Sequence, residues 1–234
     1  YGDHRDLHLS LRRQRQMCIR DRYSIVDLEA TGGKFNEESI IEIAIYKYDG
    51  EKVVDQFISL VNPDKEISPY VEKLTGIDAK MVKTAPVFSE LAKRIIEITD
   101  STILVAHNAQ FDYRLLQIEF DRLGYEYIKE SLCTVILSQK LLPNQESYKL
   151  GKLVKSLGIP LSQRHRASGD AKATVELFKL LIQKDIDKQI ISKNIVTYLG
   201  QNVRTVFNKI IELSLIHISE PTRPERIAYA GVCL

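Results

Sequence analysis

Residues 23–33 read YSIVDLEATGG. Tyr23 to Leu28 is an apolar, β-branched run, which is the composition of a buried strand. Asp27 and Glu29 stand two apart within it, and on a strand that spacing places both carboxylates on one face. Ile25, Val26 and Leu28 around them are apolar, so Asp27 should lie close to the core. An unpaired charge there is costly and asks for a cation as partner. Two further strands are expected downstream, Ile40 to Tyr48 and Glu51 to Val61, joined by Asp49-Gly50, a strong hairpin signal. Helical spacing then marks Val87 to Ile98 through Val87, Leu91, Ile95 and Ile98. Thr102 to Ala106 is a short buried strand followed by helical intervals over Ala109 to Leu123. A fifth strand is expected at Ser131 to Val135, with short helices near Ile136–Leu142 and Lys149–Leu157. Asp170 to Lys184 is amphipathic through Val175, Phe178 and Leu181. A hairpin group followed by alternating strands and helices predicts an α/β fold, with a mixed five-stranded sheet flanked by helices.

Two more short stretches carry chemistry. In LVAHNAQFDYRLL, Asp112 follows a buried strand and falls near the first turn of a helix, at the strand end where α/β sheets gather ligands. In HRASGDAKAT, His165 precedes a Ser168-Gly169 step that reads as a helix start, which puts Asp170 in the first turn. Taken singly, each acid is equally well a solvated strand end or a helix-dipole acid, and His165 a loop histidine. Together, four carboxylates without a thiolate cluster suit hard cations, Mg²⁺ or Mn²⁺. Two such ions can clamp the attacking and leaving oxygens of a phosphoryl displacement. An unperturbed imidazole titrates near pH ~6.5, so His165 suits proton removal from water at neutral pH.

DLEATGG, HNAQFD and HRASGD, with LTGI at Leu74 to Ile77, resemble the signature of the DEDDh 3′→5′ exonucleases, the family of the proofreading subunit of bacterial replicative DNA polymerase. The resemblance covers about residues 23–184. It implies a ribonuclease H-like fold and release of nucleoside 5′-monophosphates from single-stranded DNA 3′ ends in replication proofreading or repair. It assigns two metal ions to Asp27, Glu29, Asp112 and Asp170, and the general base to His165. It also implies a nucleotide cradle from Leu28, Ala30, Thr31 and Leu74, with His107 and Asn108 nearby, and a DNA polymerase as a partner. Ala30 stands where many relatives carry threonine, a departure that a backbone contact would survive. Proteins that resemble this chain further join the domain to a GIY-YIG endonuclease, and NVRTVFNKIIE is similar to the linker there.

Three other readings compete. D-x-E-A-T also resembles the aspartyl-phosphate motif of phosphotransferases, which would make Asp27 a nucleophile and leave His165 unexplained. A non-catalytic nucleic-acid-binding or polymerase-tethering module would have no use for four charges that repel phosphate. RNA could replace DNA as substrate through a 2′-hydroxyl contact.

Both ends of the chain look foreign to this domain. Tyr1–His8 and Arg12–Asp21 read back, codon by codon, as a flow-cell primer and a transposase sequencing adapter. Leu213–Arg223 and Ile227–Leu234 read as their opposite partners. The expectation is an adapter-derived segment at 1–22, an exonuclease domain at 23–186, a truncated helical linker at 187–212 and adapter again at 213–234, with both ends packing against nothing. The whole chain carries 33 basic and 31 acidic residues, net +2, and residues 23–212 carry 25 and 26, net −1. No basic excess argues for nucleic acid, so that case rests on the motifs. Of three cysteines, only Cys133 lies in residues 23–212, which fits a reducing cytoplasm. No run approaches the ~18 apolar residues of a membrane span.

Overall fold

A β-branched run with core on both faces forms β1 (Tyr23–Ala30), and the rest of the sheet grows from it in both directions. In the computed structural model, which describes residues 22–187 and 189–198, β1 pairs antiparallel with β2 (Ile40–Tyr48), which pairs antiparallel with β3 (Val53–Leu60). The turn between them is the expected one. The Asp49 carboxylate accepts the N–H groups of Glu51 and Lys52, and Gly50 takes the positive φ of 98° that the turn requires. On its other side β1 runs parallel to β4 (Ile103–Ala106), and β4 parallel to β5 (Glu130–Cys133). The order is β3-β2-β1-β4-β5-β6.

The sixth strand, β6 (Val196–Thr197), departs from the five expected. It adds antiparallel to Glu130 and Ser131 at the sheet edge, and Ser131 Oγ bonds the Val196 carbonyl. Two residues carry no period, so pattern reading had no signal to find. They also fall inside the stretch expected to be a helical linker. The remaining linker residues, 199–212, and the adapter-like ends with their expected lack of packing lie outside the described residues, apart from Arg22.

Helices cover both faces. α1 (Pro69–Thr75) starts on proline and stops at Gly76, whose φ of 71° ends the helix, and α2 (Ala79–Lys83) follows. Neither was expected from the sequence, and the second, of five residues, is too short to show a period. α3 (Phe88–Thr99), α4 (Ala109–Arg122), α5 (Thr134–Leu141), α6 (Leu150–Ser156) and α7 (Ala167–Lys184) match their expected segments, and α8 (Gln189–Lys193) completes the set. Residues alternate along β1 between two cores. Tyr23 and Ile25 face α7 with Ala44, Tyr46 and Val105, and the Tyr23 ring meets Phe178 edge-on at 4.8 Å. Burying a side chain such as Phe178 stabilises by about 2–3 kcal/mol. Ser24 faces the other way and donates to the Ile98 carbonyl of α3. No helix among the described residues is long and apolar enough to cross a membrane.

Candidate active site

The face of β1 that begins with Tyr23 and Ile25 continues, at period two, to Asp27 and Glu29. The strand thus buries its first half under α7 and presents carboxylates at its carboxyl end. That end is also where the sheet switches from antiparallel to parallel pairing, with β2 on one side and β4 on the other. A crevice forms at such a switch point. α7 runs back over β1 and β2, which brings Asp170, in its first turn, over the two strand acids. Carboxylate oxygens of Asp27, Glu29 and Asp170 all lie within 4.8 Å of one another.

Asp112 comes from the first turn of α4 and is only 3 % exposed. Its Oδ1 accepts the Leu28 N–H at 3.0 Å, which ties α4 to the strand between the two strand acids. It stands outside the triad's mutual reach, yet its charge raises the Asp27 carboxyl. His165 lies in the turn before α7 with φ 61°, and its N–H donates to Asp170 Oδ2 at 3.0 Å. Its imidazole makes no hydrogen bond to the described residues.

The electrostatics are those of a buried acidic cluster. Burial first, then the charges of Asp112, Asp170, Glu29 and Glu42, push Asp27 well above the usual carboxylate range. Burial, Asp170 and Glu42 push Glu29 up to about 7 against the opposing pull of Arg166. Burial likewise raises Asp112 and Asp170, even though each accepts a backbone N–H. Among the described residues, Asp170 Oδ1 is buried without a hydrogen-bond partner. A lone buried carboxylate oxygen is costly, and one on an acid clustered with Asp27 and Glu29 fits a divalent cation.

This arrangement fixes a sign for stability. Glu29 has an ordinary value of 4.5 and reaches about 7 in the fold. Across that interval the folded chain keeps a proton that the unfolded chain has lost, so stability falls as pH rises through it. The loss from Glu29 alone is on the order of 3 kcal/mol, and the three aspartates act in the same direction. The metal-free chain should therefore melt at a lower temperature at pH 8 than at pH 5, and Mg²⁺ or Mn²⁺ should restore the difference at pH 8. A midpoint that holds level from pH 5 to 8 without metal would contradict this.

The expected nucleotide cradle is dispersed around this end of the sheet. Leu28 and Ala30 are buried in β1, and Thr31 accepts the Ser68 N–H on its carbonyl, so α1, which carries Leu74, starts beside the strand end. Leu74 itself is 38 % exposed. Asn108, exposed at φ 75°, heads α4. His107 has both ring nitrogens engaged, one with the Thr134 hydroxyl and one with the Tyr148 carbonyl, each at 2.9 Å. Burial lowers its pKa, so it holds the loops as a neutral ring. Together with Asn108, Val135, Tyr148, Lys149 and Leu150 it lines an open pocket of about 500 Å³.

Sequence reading missed three ionic supports. Arg114 forks onto the buried Glu38 at 2.9 and 3.0 Å. Glu119 accepts from the Ile40 N–H and from Arg122. Glu42, directly opposite Glu29 in the β1–β2 register, holds Arg166. Glu42 was visible as the one charge inside IIEIAI, where burial demands a cation by the reasoning already applied to Asp27. Gly169 has a reason beyond helix initiation, because a Cβ there would run into the carbonyl oxygens of Ser162 and Gln163. Gly169→Ala should push the His165 turn outward, destabilise by about 1–3 kcal/mol, and lower kcat. A thermal midpoint and rate equal to wild type would show that the turn has slack.

The sequence profile of the RNase_T family, described as exonuclease, matches residues 24–178. The chain is 37% identical over 169 residues to a PolC-type DNA polymerase III of Caldanaerobacter subterraneus subsp. tengcongensis, covering 72% of this chain and 12% of that one. It is 31% identical over 205 residues to the 3′-5′ exonuclease DinG of Staphylococcus saprophyticus, covering 87% and 23%. The chain thus spans under a quarter of the length of either relative. Among solved structures, exonuclease X in complex with 5′-overhanging duplex DNA superposes with a TM-score of 0.58 at 29% identity, covering 70% of this chain and 92% of that one. The nuclease domain of 3′hExo, a DEDDh family member, superposes with a TM-score of 0.64 at 19% identity, covering 78% and 98%, and so shares the ribonuclease H-like fold. With a profile over most of its length and the motif acids gathered at one strand end, the chain belongs to the RNase_T exonuclease family.

Proposed function

We propose that this domain is a 3′→5′ exonuclease that removes nucleoside 5′-monophosphates from single-stranded DNA ends, with two Mg²⁺ or Mn²⁺ ions held by Asp27, Glu29, Asp112 and Asp170. The observation that carries this reading is the triad of carboxylates within 4.8 Å around a buried, unpartnered Asp170 oxygen. Bound divalent ions would supply the positive charge that offsets the scissile phosphate and acidifies the attacking water. The chain supplies the rest. Asp27 and Glu29 hold their positions because a paired strand cannot rotate them away. His165 takes the proton from water as general base through a ring that makes no hydrogen bond to the described residues. The backbone of Leu28, Ala30 and Thr31, with Leu74 and Asn108, cradles the terminal nucleotide, while His107 keeps the Asn108 turn in place. Support for DNA comes from the relatives, one a DNA polymerase and one bound to a DNA duplex. On this reading the full polypeptide works in proofreading or repair, beside a polymerase or a further nuclease domain, in the cytoplasm.

The test is the released product. The chain should be given single-stranded DNA and RNA of matched sequence with Mg²⁺, and the small products separated by chromatography. Deoxynucleoside 5′-monophosphates released faster than ribonucleotides support the assignment. Nucleoside 3′-monophosphates would overturn the cleavage chemistry, and faster release from RNA would overturn the substrate.

A further inference from the structure

We propose that Arg166 is a positioning residue for His165, acting through a buried clasp on Glu42. This rests on the general-base reading of His165 given above.

The turn that carries His165 is not one its sequence favours. Gln163 and His165 both take positive φ, at 55° and 61°, a region that costs non-glycine residues energy and persists only where surroundings hold it. Two holds are visible. One lies within the turn itself, where the His165 N–H meets Asp170 Oδ2 and the Arg166 N–H meets the Gln163 carbonyl. These fix the turn to α7, whose own hold on the sheet is apolar packing on β1 and β2 and the Tyr46 hydroxyl donating to the Ser168 carbonyl at 3.4 Å.

Glu42 adds a charged hold from the sheet to the residues next to His165. Its side chain is 3 % exposed, and it accepts four hydrogen bonds from the two residues that follow His165. Arg166 Nε donates to both carboxylate oxygens at 3.1 Å, Arg166 Nη2 donates to Oε1 at 2.7 Å, and the Ala167 N–H donates to Oε2 at 2.7 Å. The planar fork of an arginine on a carboxylate fixes orientation as well as distance, which a lysine does not reproduce. Glu42 is also the cross-strand partner of Glu29. A single β-ladder step thus places one metal-type carboxylate and the anchor of the histidine turn side by side. The sheet sets the distance between His165 and the acids, and Arg166 transmits it.

The informative variants keep the buried charge paired. Arg166→Lys retains the cation and loses the fork, and Glu42→Asp retains the carboxylate and shortens its reach. In the full chain, each should lower kcat by about ten- to a hundredfold, the usual scale for a misplaced catalytic group, with KM within a fewfold of wild type. The decisive measurement repeats each in a His165→Ala background under single-turnover conditions. If Arg166 acts through His165, adding Arg166→Lys there costs nothing further, because residues that act as one unit are not additive. Losses that multiply would overturn the clasp and leave the function intact, as would wild-type kcat in Arg166→Lys with its thermal midpoint retained. Should Arg166→Lys not fold, Glu42→Asp decides by the same cycle. A wild-type rate in His165→Ala alone would instead overturn the general-base reading itself.

Discussion

Asp27→Asn eliminates turnover, by roughly 10³-fold or more on the scale at which preorganised electrostatic groups act, while leaving a protein that melts higher than wild type without metal. Both halves follow from one position. Asp27 sits where β1 passes from its buried half to its acidic half, within 4.8 Å reach of Glu29 and Asp170 and raised by Asp112 and Glu42 as well. Asparagine keeps the shape and removes the charge that those four repel, so the metal-free fold gains. On the proposed function it also removes a metal ligand, so metal affinity and catalysis should fall together. Thermal melts in EDTA beside rates in Mg²⁺ check both. A mutant that is both slower and less stable would make Asp27 a structural acid.

His165→Ala comes second, at about two to four orders of magnitude in kcat, the usual size of an acid–base contribution. Its ring has no hydrogen bond to the described residues, and its N–H, which holds Asp170, survives the substitution. Metal affinity and melting temperature should therefore stay near wild type. This separates it from Asp27→Asn, in which both change. Steady-state rates with a metal titration on the same variant make the check, and a wild-type rate would remove His165 from the chemistry.

Much of this was legible in the chain because chemistry and period coincide at the same residues. β1 announces itself by β-branched residues, and D-x-E at period two fixes the shared face before any coordinates exist. β2 and the long helices α3, α4 and α7 fall where apolar spacing places them. What escaped detection was short or non-local. α2 and β6 are too brief to show a period, and α1 was not among the expected segments. The Glu42–Arg166 and Glu38–Arg114 pairs join residues 124 and 76 positions apart, and one sequence does not say which buried acid meets which base. His107 shows the converse limit. It lies inside a motif, yet its two nitrogens are spent on Thr134 and Tyr148, a role that depends on loops distant in sequence.

In the proposed function this acidic cluster, loaded with divalent metal, shortens a nucleic acid from its 3′ end. This is tested most directly by 5′-labelled single-stranded DNA given to wild type and Asp27→Asn side by side, each in Mg²⁺ and in EDTA. The expected result is a one-nucleotide ladder descending from the 3′ end in wild type with Mg²⁺, and an intact strand in the other three lanes. Shortening that persists in EDTA or in Asp27→Asn, or internal cuts in place of a ladder, would contradict it.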